Sequence, residues 1–290
     1  MVDDDSLQAA DAFGHPKTLL AAWGLRPKKR YGQNFLMDRG SARRIARLAL
    51  DGATAPVRAL EIGAGTGALT LALLDEGAGV TALEIDPELI ALLRARRELD
   101  QARIVEADAL TFDYAAYGDD SAWIVAGNLP YNIATPLMLG LIEMERGPAS
   151  LTVMIQKDVA NRLAAKPGTP AYGSLSIAVQ YAMVVERAFT LGPRAFYPAP
   201  KIDSTVVRLL RRETPAVHPR DVSLFRKVVR AAFAYRRKTL ANSLILALGI
   251  ERATIARAIA ASALPPECRG EQLDLHAFSR LADAMADEQL

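Results

Sequence analysis

The chain has few of the residues that build disulfide frameworks and zinc sites. Its 290 residues include one cysteine, Cys268, and three histidines that are scattered along the sequence. A single cysteine cannot form an intramolecular disulfide, and isolated histidines without a cysteine cluster do not fit a zinc site. The composition therefore argues against a disulfide-stabilised secreted protein and against zinc enzymes such as the base deaminases, and we expect no bound metal.

Membrane spans and targeting segments are also missing from the sequence. No stretch approaches the run of about 18 apolar residues that a transmembrane helix needs. The chain opens with Asp3, Asp4 and Asp5, where a signal peptide would have a basic region followed by an apolar one. We therefore expect a cytoplasmic protein that does not associate with membranes, and we expect it to be a monomer.

Charge is nearly balanced over the whole chain but not along it. The formal net charge is +2, whereas residues 26–47 carry +7 and residues 208–240 carry +8. Two basic blocks that are far apart in sequence can fold onto one face that meets a polyanion such as a nucleic acid. A solvated surface explains either block equally well, so the charge pattern leaves both interpretations open.

Apolar runs rich in β-branched residues alternate with helical patterns over the first half of the chain. These runs predict five strands, over residues 57–62, 80–85, 103–107, 123–126 and 151–155. Regular alternation of strands and helices is typical of a parallel sheet covered by helices. Two later runs, residues 183–191 and 205–210, have no helix between them, and we expect them to pair as an antiparallel hairpin.

The pattern changes after Arg212, where a short linker leads into sequence rich in Ala, Leu and Arg. Its helical periodicity predicts helices over residues 221–234, 236–247, 251–261 and 274–286. The predicted fold is of the α/β class, a Rossmann-like sheet with an added antiparallel hairpin, followed by a small all-α domain. The expected divisions are an N-terminal extension over residues 1–25, a catalytic domain over 26–212 and a helical domain over 213–290.

A glycine-rich loop follows the first predicted strand. Residues 61–67 read Glu-Ile-Gly-Ala-Gly-Thr-Gly, and glycines at such a turn let the backbone approach a ligand at the amino end of a helix. Glu84 ends the second predicted strand, 21 residues after Gly63, where a ribose-binding acid belongs. The pattern predicts a nucleotide-type cofactor site, but the loop alone does not separate NAD from S-adenosylmethionine.

Two acidic residues favour S-adenosylmethionine. Glu61 directly precedes the glycines, and its negative charge would repel a pyrophosphate but suit the cationic methionine end of S-adenosylmethionine. Asp108, at the end of the third predicted strand, can accept a hydrogen bond from an adenine amino group. Without a cofactor, the same residues are explained by a tight turn at the glycines, a solvated Glu84 and a helix N-cap at Asp108.

A four-residue motif, Asn128-Leu129-Pro130-Tyr131, follows the fourth predicted strand at the sheet edge where ligands of open α/β folds bind. The exocyclic amine of adenine is a poor nucleophile because its lone pair is delocalised into the ring. The Asn128 amide oxygen and a carbonyl of Leu129 or Pro130 can each accept one amine hydrogen and so orient the nitrogen. Tyr131 would stack on a flipped base. A strand-ending turn with an anchoring aromatic is the alternative.

The order of these motifs resembles the ribosomal RNA adenine N6,N6-dimethyltransferases, and most closely those that act on the bacterial small subunit. The resemblance covers nearly the whole chain and includes segments at residues 28–36, 156–163 and 193–204. It implies an S-adenosylmethionine-dependent methyltransferase that dimethylates two adjacent adenines near the 3′ end of 16S rRNA. The implied partner is 16S rRNA in the small subunit or its precursor, and the implied role is in small-subunit biogenesis.

The resemblance also implies roles for individual residues. The expected cofactor residues are Gln33, Asn34, Leu36, Glu61, Gly63, Gly65, Glu84, Ile85, Asp108, Ala109 and Asn128. The expected catalytic residues are Asn128, Leu129, Pro130, Tyr131 and Phe196. Phe196 would face Tyr131 across the target adenine, although it fits a core anchor equally well. From the two basic blocks we expect phosphate contacts at Lys28, Lys29, Arg30, Arg236, Arg237 and Lys238.

Two other functions remain open at this point. A methyltransferase that modifies a large-subunit rRNA adenine and confers antibiotic resistance would share every catalytic residue. An RNA-binding assembly factor whose methylation is incidental would share the basic blocks. A substitution at Asn128 separates an enzyme from a pure binder, because the binder would keep its cellular role.

Overall fold

The structure is a computed structural model and describes residues 14–53, 56–118 and 122–288. The first 13 residues, which hold the acidic start of the predicted extension, lie outside the described residues. The chain divides into two compact units. The first contains Met1–Ala160 and Glu186–Arg211, and the second contains Asn161–Val185 and Arg212–Leu290.

Nine strands lie in the described residues. They are β1 (Phe35–Leu36), β2 (Arg58–Ile62), β3 (Gly79–Glu84), β4 (Arg103–Glu106), β5 (Trp123–Asn128), β6 (Ser150–Gln156), β7 (Met183–Leu191), β8 (Phe196–Tyr197) and β9 (Ser204–Arg211). All seven predicted strands are present, with ends that differ by at most two residues. The two-residue strands β1 and β8 were not predicted.

Twelve α-helices lie in the described residues. They are α1 (Pro16–Ala22), α2 (Arg39–Leu50), α3 (Ala68–Asp75), α4 (Pro87–Arg94), α5 (Tyr114–Tyr117), α6 (Ala134–Glu143), α7 (Lys157–Leu163), α8 (Ser174–Ala182), α9 (Val222–Ala234), α10 (Leu240–Leu248), α11 (Arg252–Ala261) and α12 (Leu275–Asp287). None of the helices described is long and apolar enough to cross a membrane.

The main sheet has seven strands in the order β4-β3-β2-β5-β6-β9-β7. Strands β2 to β6 are parallel to one another, and their central residues, such as Leu60, Val125 and Leu151, are buried. The chain builds outward from β2 in one direction and from β5 in the other. This reversal opens a crevice at the carboxyl ends of β2 and β5, where an open α/β sheet binds its ligand.

The predicted hairpin extends this sheet beyond β6. Strand β9 pairs antiparallel with β6, from Ser204 opposite Gln156 to Leu210 opposite Ser150. Strand β7 is hydrogen-bonded to β9 at the sheet edge, and Thr190 Oγ1 lies 3.0 Å from Thr205 Oγ1. Because β9 runs against the parallel strands, its first residues lie at the edge where those strands end. The α/β fold class with an antiparallel hairpin is confirmed.

Aspartates and a threonine fix where several helices begin. Asp86 accepts the Glu88 amide before Pro87 starts α4, and Asp221 and Asp274 cap α9 and α12 in the same way. Thr239 caps α10 by accepting the Asn242 amide. Helix α10 therefore begins at Leu240, and the predicted helical start at residue 236 is wrong.

The second unit has its own apolar core. Phe225 of α9 and Phe278 of α12 pack there with Tyr172, Ile177 and Tyr181 from the segment 161–185. The Tyr172 hydroxyl also donates to the carbonyl of Leu273 at 2.9 Å. These contacts group residues 161–185 with the C-terminal helices, whereas sequence order had placed them in the first domain.

Gly127 is the penultimate residue of β5, at the edge of the sheet that forms the crevice, and its surroundings are tightly packed. A Cβ added at Gly127 would lie 2.7 Å from the Ile62 carbonyl oxygen and 3.3 Å from a Leu129 methyl. We predict that Gly127→Ala destabilises the first unit by about 1 to 3 kcal/mol, the usual cost of overpacking. Urea unfolding followed by tryptophan fluorescence measures this, since both tryptophans, Trp23 and Trp123, belong to that unit.

Gly140 provides the matched control for this substitution. It is exposed on α6, and a Cβ added there meets nothing within 4 Å. Gly140→Ala should stabilise the unit by up to about 1 kcal/mol through helix propensity. Equal effects of the two substitutions would contradict the packing argument.

Candidate active site

A cavity of about 370 Å³ lies at the carboxyl ends of the parallel strands in the first unit. Five chain segments line it, residues 30–36, 61–66 with 68–69, 83–85, 107–110 and 128–133, together with Ile45 and Met154. The cavity contains every residue that the sequence analysis expected to bind the cofactor and the whole Asn128–Tyr131 motif. Phe196 is not among its lining residues. The roles of the individual residues stay predictions, but all the expected cofactor and catalytic residues other than Phe196 line this one cavity.

The glycine loop at the end of β2 turns beneath the cavity. The amides of Gly63 and Ala64 donate to the Leu83 carbonyl, which ties the loop to β3. Gly65 has a φ of +60°, and a Cβ there would lie 3.0 Å from the ring of Phe35. Both constraints require glycine at this position. The absence of a side chain lets the backbone of the loop lie directly against the Phe35 ring.

The Glu84 carboxylate organises the same loop. It accepts the amide of Gly65 at 2.8 Å, that of Ile85 at 2.9 Å and that of Asp86 at 3.0 Å. Burial raises the pKa of the Glu84 carboxyl, and the three amide hydrogen bonds offset this only in part. A carboxylate oxygen accepts more than one hydrogen bond, so Glu84 can hold the loop and still accept from a ligand in the cavity.

The charge of Glu61 differs from the negative charge that the sequence predicted. Its side chain is 1% exposed and accepts the Thr70 hydroxyl at 2.6 Å. Burial raises the pKa of Glu61 from 4.5 to about 8, and the nearby Glu84 charge contributes in the same direction. Burial therefore favours the neutral form of Glu61 over the expected negative charge near pH 7 in the chain alone.

Asp108 follows the carboxyl end of β4 and lines the cavity together with exposed apolar side chains. One of its carboxylate oxygens accepts the Leu110 amide at 2.9 Å within a turn. No helix begins there, and the next helix, α5, is capped by Asp113, so the alternative of a helix N-cap at Asp108 is wrong. Ile85 and Leu110 are 38% and 50% exposed and line the cavity near this carboxylate. Exposed apolar groups next to a hydrogen-bond acceptor are suited to a flat, mostly apolar ring with a polar edge.

The amide of Asn128 is oriented by the N-terminal segment. Its Nδ2 donates to the Asn34 carbonyl at 2.7 Å, and the Asn34 side chain in turn donates to the Gly32 carbonyl at 3.0 Å. Because Nδ2 is held by the protein, Oδ1 is the atom of this amide that remains to accept from a ligand.

The carbonyls of the Asn128 turn are not equivalent. The Pro130 carbonyl accepts the amides of Ile133 and Ala134, both at 3.1 Å, at the start of α6. The sequence left Leu129 and Pro130 open as the second acceptor. This use of the Pro130 carbonyl in the helix favours the Leu129 carbonyl.

The two aromatic residues expected to hold a base have different environments. Tyr131 is half-buried at the cavity, and its hydroxyl lies 2.8 Å from the Ser204 hydroxyl. Phe196 is 2% exposed and belongs to the apolar core, in a strand where it pairs with Leu36. The structure therefore places Phe196 as the core anchor that the sequence analysis kept as its alternative.

Lys28 is engaged within the protein. Its ammonium group lies 2.7 Å from carboxylate oxygens of both Asp86 and Glu88. Gln33 joins this network, because its Nε2 donates to Asp86 at 2.9 Å while its Oε1 accepts the Lys28 amide at 2.7 Å. Burial alone would lower the pKa of Lys28, but the hydrogen bonds and charges of the two acids outweigh it and raise the pKa. Lys28 thus holds the N-terminal segment, residues 28–36, against the start of α4 and is not free to contact a phosphate.

The other expected phosphate contacts fall into two groups. Lys29, Arg30, Arg237 and Lys238 are exposed, and the Arg30 guanidinium lies 4.6 Å from the centre of the Tyr31 ring. Arg236 instead donates to the carbonyls of Pro170 and Tyr172 and lies 3.8 Å from Glu271 within the second unit.

Two residues at the site were missed by the sequence analysis. The buried Arg96 guanidinium donates to the Thr66 carbonyl of the glycine loop at 2.5 Å, and Ser204 contacts Tyr131 as described. A single arginine after a helix carries no sequence signal for this contact. Ser204 does lie in one of the segments that carry the family resemblance, residues 193–204, but there the expected role fell on Phe196.

Comparison with known proteins adds to this geometry. The sequence model of the ribosomal RNA adenine dimethylase family matches residues 24–273. The Ribosomal RNA small subunit methyltransferase A of Streptococcus gordonii is 42% identical over 284 residues, covering 94% of this chain and 97% of that protein. The protein of the same name from Pseudomonas aeruginosa is 45% identical over 266 residues, covering 90% and 96%.

Two solved methyl-transferring enzymes share the fold. A dimethyladenosine transferase from Plasmodium falciparum has a TM-score of 0.69 at 25% identity, covering 85% of this chain and 95% of that one. The 23S rRNA methyltransferase ErmE has a TM-score of 0.66 at 25% identity, covering 87% and 100%. These likenesses confirm the predicted methyltransferase fold.

The buried Glu61 generates a prediction about stability and pH. Its folded pKa is about 8 against an ordinary value of 4.5, so between these values the folded chain holds one proton more than the unfolded chain. Stability from this group is therefore lost as the pH rises through that window, by up to about 1.4 kcal/mol per pH unit. We predict that Glu61→Gln removes this loss and that its stability advantage over the natural chain grows from pH 5 to pH 9.

Denaturant unfolding at several pH values measures this difference. Glu145→Gln, at an exposed position of the same unit, controls for the simple replacement of a carboxylate by an amide. A Glu61→Gln chain whose advantage does not change between pH 5 and pH 9 would disprove the neutral, buried carboxyl.

Proposed function

The chain belongs to the ribosomal RNA adenine dimethylase family, and from this premise we propose that it dimethylates the N6 amines of two adjacent adenines near the 3′ end of small-subunit rRNA. S-adenosylmethionine is the methyl donor. The observation that carries the proposal is the orientation of the Asn128 turn at the edge of the cofactor cavity.

The cavity suits S-adenosylmethionine in its size and in the order of its polar groups. We assign Glu84 to the ribose hydroxyls, Asp108 to the adenine amine, and Ile85 with Leu110 to the faces of the adenine ring. Glu61 lines the end beside the glycine loop, where the methionine ammonium belongs. A nearby cation favours the ionised form of an acid, so Glu61 should lose its proton when the cofactor binds.

The proposed chemistry needs hydrogen-bond acceptors more than a strong base. S-adenosylmethionine supplies an electrophilic methyl group. On the protein side, Asn128 Oδ1 and the Leu129 carbonyl each accept one hydrogen of the target amine, which turns the nitrogen lone pair out of conjugation with the ring. The amine becomes strongly acidic only after it has attacked, so no basic side chain has to remove a proton first.

Tyr131 is the aromatic residue that the geometry supports as a platform for the target base. It is half-buried at the cavity next to Asn128, and stacking contributes about 1 to 3 kcal/mol per base. The burial of Phe196 weighs against a direct second platform. Stacking holds the ring by its face and leaves its edge free, so a monomethylated amine, which keeps one hydrogen for one acceptor, still fits.

The small-subunit substrate is favoured over the large-subunit alternative by sequence similarity. The small-subunit relatives are 42% and 45% identical, whereas the 23S rRNA enzyme is 25% identical. We also propose the first unit as the catalytic domain and the second as an RNA-binding domain. Location in the cytoplasm and a monomeric state remain predictions.

The second unit presents a basic surface that fits this assignment. Lys227 and Arg230 lie on one face of α9, and Arg237 and Lys238 follow on the turn after it. All four side chains are exposed and form no ion pair within the described residues. Exposed cations without an ion pair are what a phosphate backbone binds.

The central experiment maps methylated adenines by mass spectrometry in small-subunit rRNA from cells with and without the protein. We expect two adjacent dimethyladenines only where the protein is present. Purified Asn128→Ala should lower the methyl-transfer rate far more than it raises the Michaelis constants, because the Asn128 acceptor is used mainly in the transition state. Gly140→Ala, outside the cavity, should retain full activity.

Several outcomes of this experiment would overturn the proposal. A product with a single methyl per adenine would move the chain toward monomethylating enzymes, and modification of large-subunit rRNA would favour the alternative substrate. If Asn128→Ala kept its cellular role in full, an assembly factor with incidental methylation would be favoured.

The basic surface predicts a strong salt dependence of RNA affinity. Replacing Arg237 and Lys238 by Gln should weaken RNA binding and flatten the log-log salt slope by about 0.7 to 0.9 for each phosphate interaction removed. Arg236→Gln should instead lower the thermal stability of the second unit, because its guanidinium is bound to the Pro170 and Tyr172 carbonyls. Titrations at several salt concentrations measure the change in slope, and thermal unfolding measures the change in stability. An unchanged slope in the double variant would exclude Arg237 and Lys238 from the RNA contact.

A further inference from the structure

Ser204 reaches the active-site edge because of the direction of its strand. It is the first residue of β9, which runs antiparallel to β6, and it pairs with Gln156 at the carboxyl end of β6. Its side chain is fully buried, and its hydroxyl lies 2.8 Å from that of Tyr131. The direction of β9 thus places the Ser204 hydroxyl next to Tyr131, at the end of the Asn128 turn.

The position of Ser204 is held from both sides. The preceding residue, Asp203, accepts the Lys157 ammonium at 2.9 Å, and its carbonyl accepts the Lys157 amide at 3.1 Å. The pairing of β9 with β6 then continues without interruption from Ser204 to Leu210. Ser204 is therefore a fixed point on the sheet.

Tyr131, in contrast, lies on a turn between β5 and α6. The hydrogen bonds of that turn fix its backbone, but they do not set the plane of the tyrosine ring. Stacking energy depends on the relative orientation of the two rings. A hydrogen bond at the far end of the ring supplies the missing constraint, because it fixes the phenol oxygen while the backbone fixes Cβ.

We propose that Ser204 is a positioning residue that sets the ring plane of Tyr131 for the target adenine. The inference rests on the proposed function, since it takes Tyr131 as the stacking platform. In this proposal the segment 193–204 contributes to catalysis through Ser204, whereas Phe196 of the same segment packs in the apolar core.

A double-mutant cycle on the full chain tests this role. Ser204→Ala and Tyr131→Phe each remove one hydroxyl and keep the surrounding shape. We expect each to slow single-turnover methyl transfer by about 3- to 10-fold, the effect of losing one hydrogen bond between neutral groups. The double variant should be no slower than either single one, because both lose the same interaction. Affinity for S-adenosylmethionine should not change.

A neighbouring hydroxyl pair provides the matched control. Thr205, the next residue of β9, is equally buried, and its hydroxyl lies 3.0 Å from that of Thr190. Thr205→Val removes this hydroxyl at nearly constant volume and should leave the methyl-transfer rate unchanged. A rate loss in Thr205→Val as large as in Ser204→Ala would reduce the role of Ser204 to general support of the sheet.

A spectroscopic readout separates ring placement from stability. With 2-aminopurine in place of the target adenine, stacking on Tyr131 should quench its fluorescence in the natural chain, and Ser204→Ala should restore part of it. Multiplicative rate losses in the cycle, or quenching unaffected by Ser204→Ala, would overturn the inference. Failure of the natural chain to methylate adenine would overturn the proposed function itself.

Discussion

A buried carboxylate held by backbone amides is the interaction on which the site depends. Glu84 accepts amides from Gly65, Ile85 and Asp86, and so joins the glycine loop, the end of β3 and the start of α4 at one point. A buried charge is expensive unless it is fully hydrogen-bonded. The three amides offset part of that cost without a counterion, and the carboxylate stays at the cavity wall.

The network continues from Glu84 into the N-terminal segment. Asp86 accepts Lys28 and Gln33, which draws residues 28–36 over the cavity. Asn34 of the same segment then orients the Asn128 amide through its carbonyl. Residues 28–36 therefore cover the cofactor cavity and also orient the Asn128 amide. Cofactor binding and placement of the target amine are coupled through this one segment.

The sequence predicted what depends on local pattern. Strands such as β5 and β6 follow from their apolar runs, helices such as α9 and α12 from their period and Asp caps, and the site edge from the glycines and the Asn128 motif. The missed features depend on contacts between distant residues. The core position of Phe196 arises from its pairing with Leu36, and the neutral Glu61 arises from burial that no local pattern reveals.

The reversed direction of β9 also affects how this fold can diversify. Because β7 ends and β9 begins at the edge where the parallel strands end, the loop between them, residues 192–203, belongs to the rim of the site and not to its cofactor floor. Residues 196 and 197 of the loop are tied to β1 and the core, but residues 198–202 are mostly exposed, and changes confined to them leave the glycine loop and Glu84 untouched. An ancestral enzyme of this architecture could therefore acquire new RNA targets while its cofactor chemistry stayed constant.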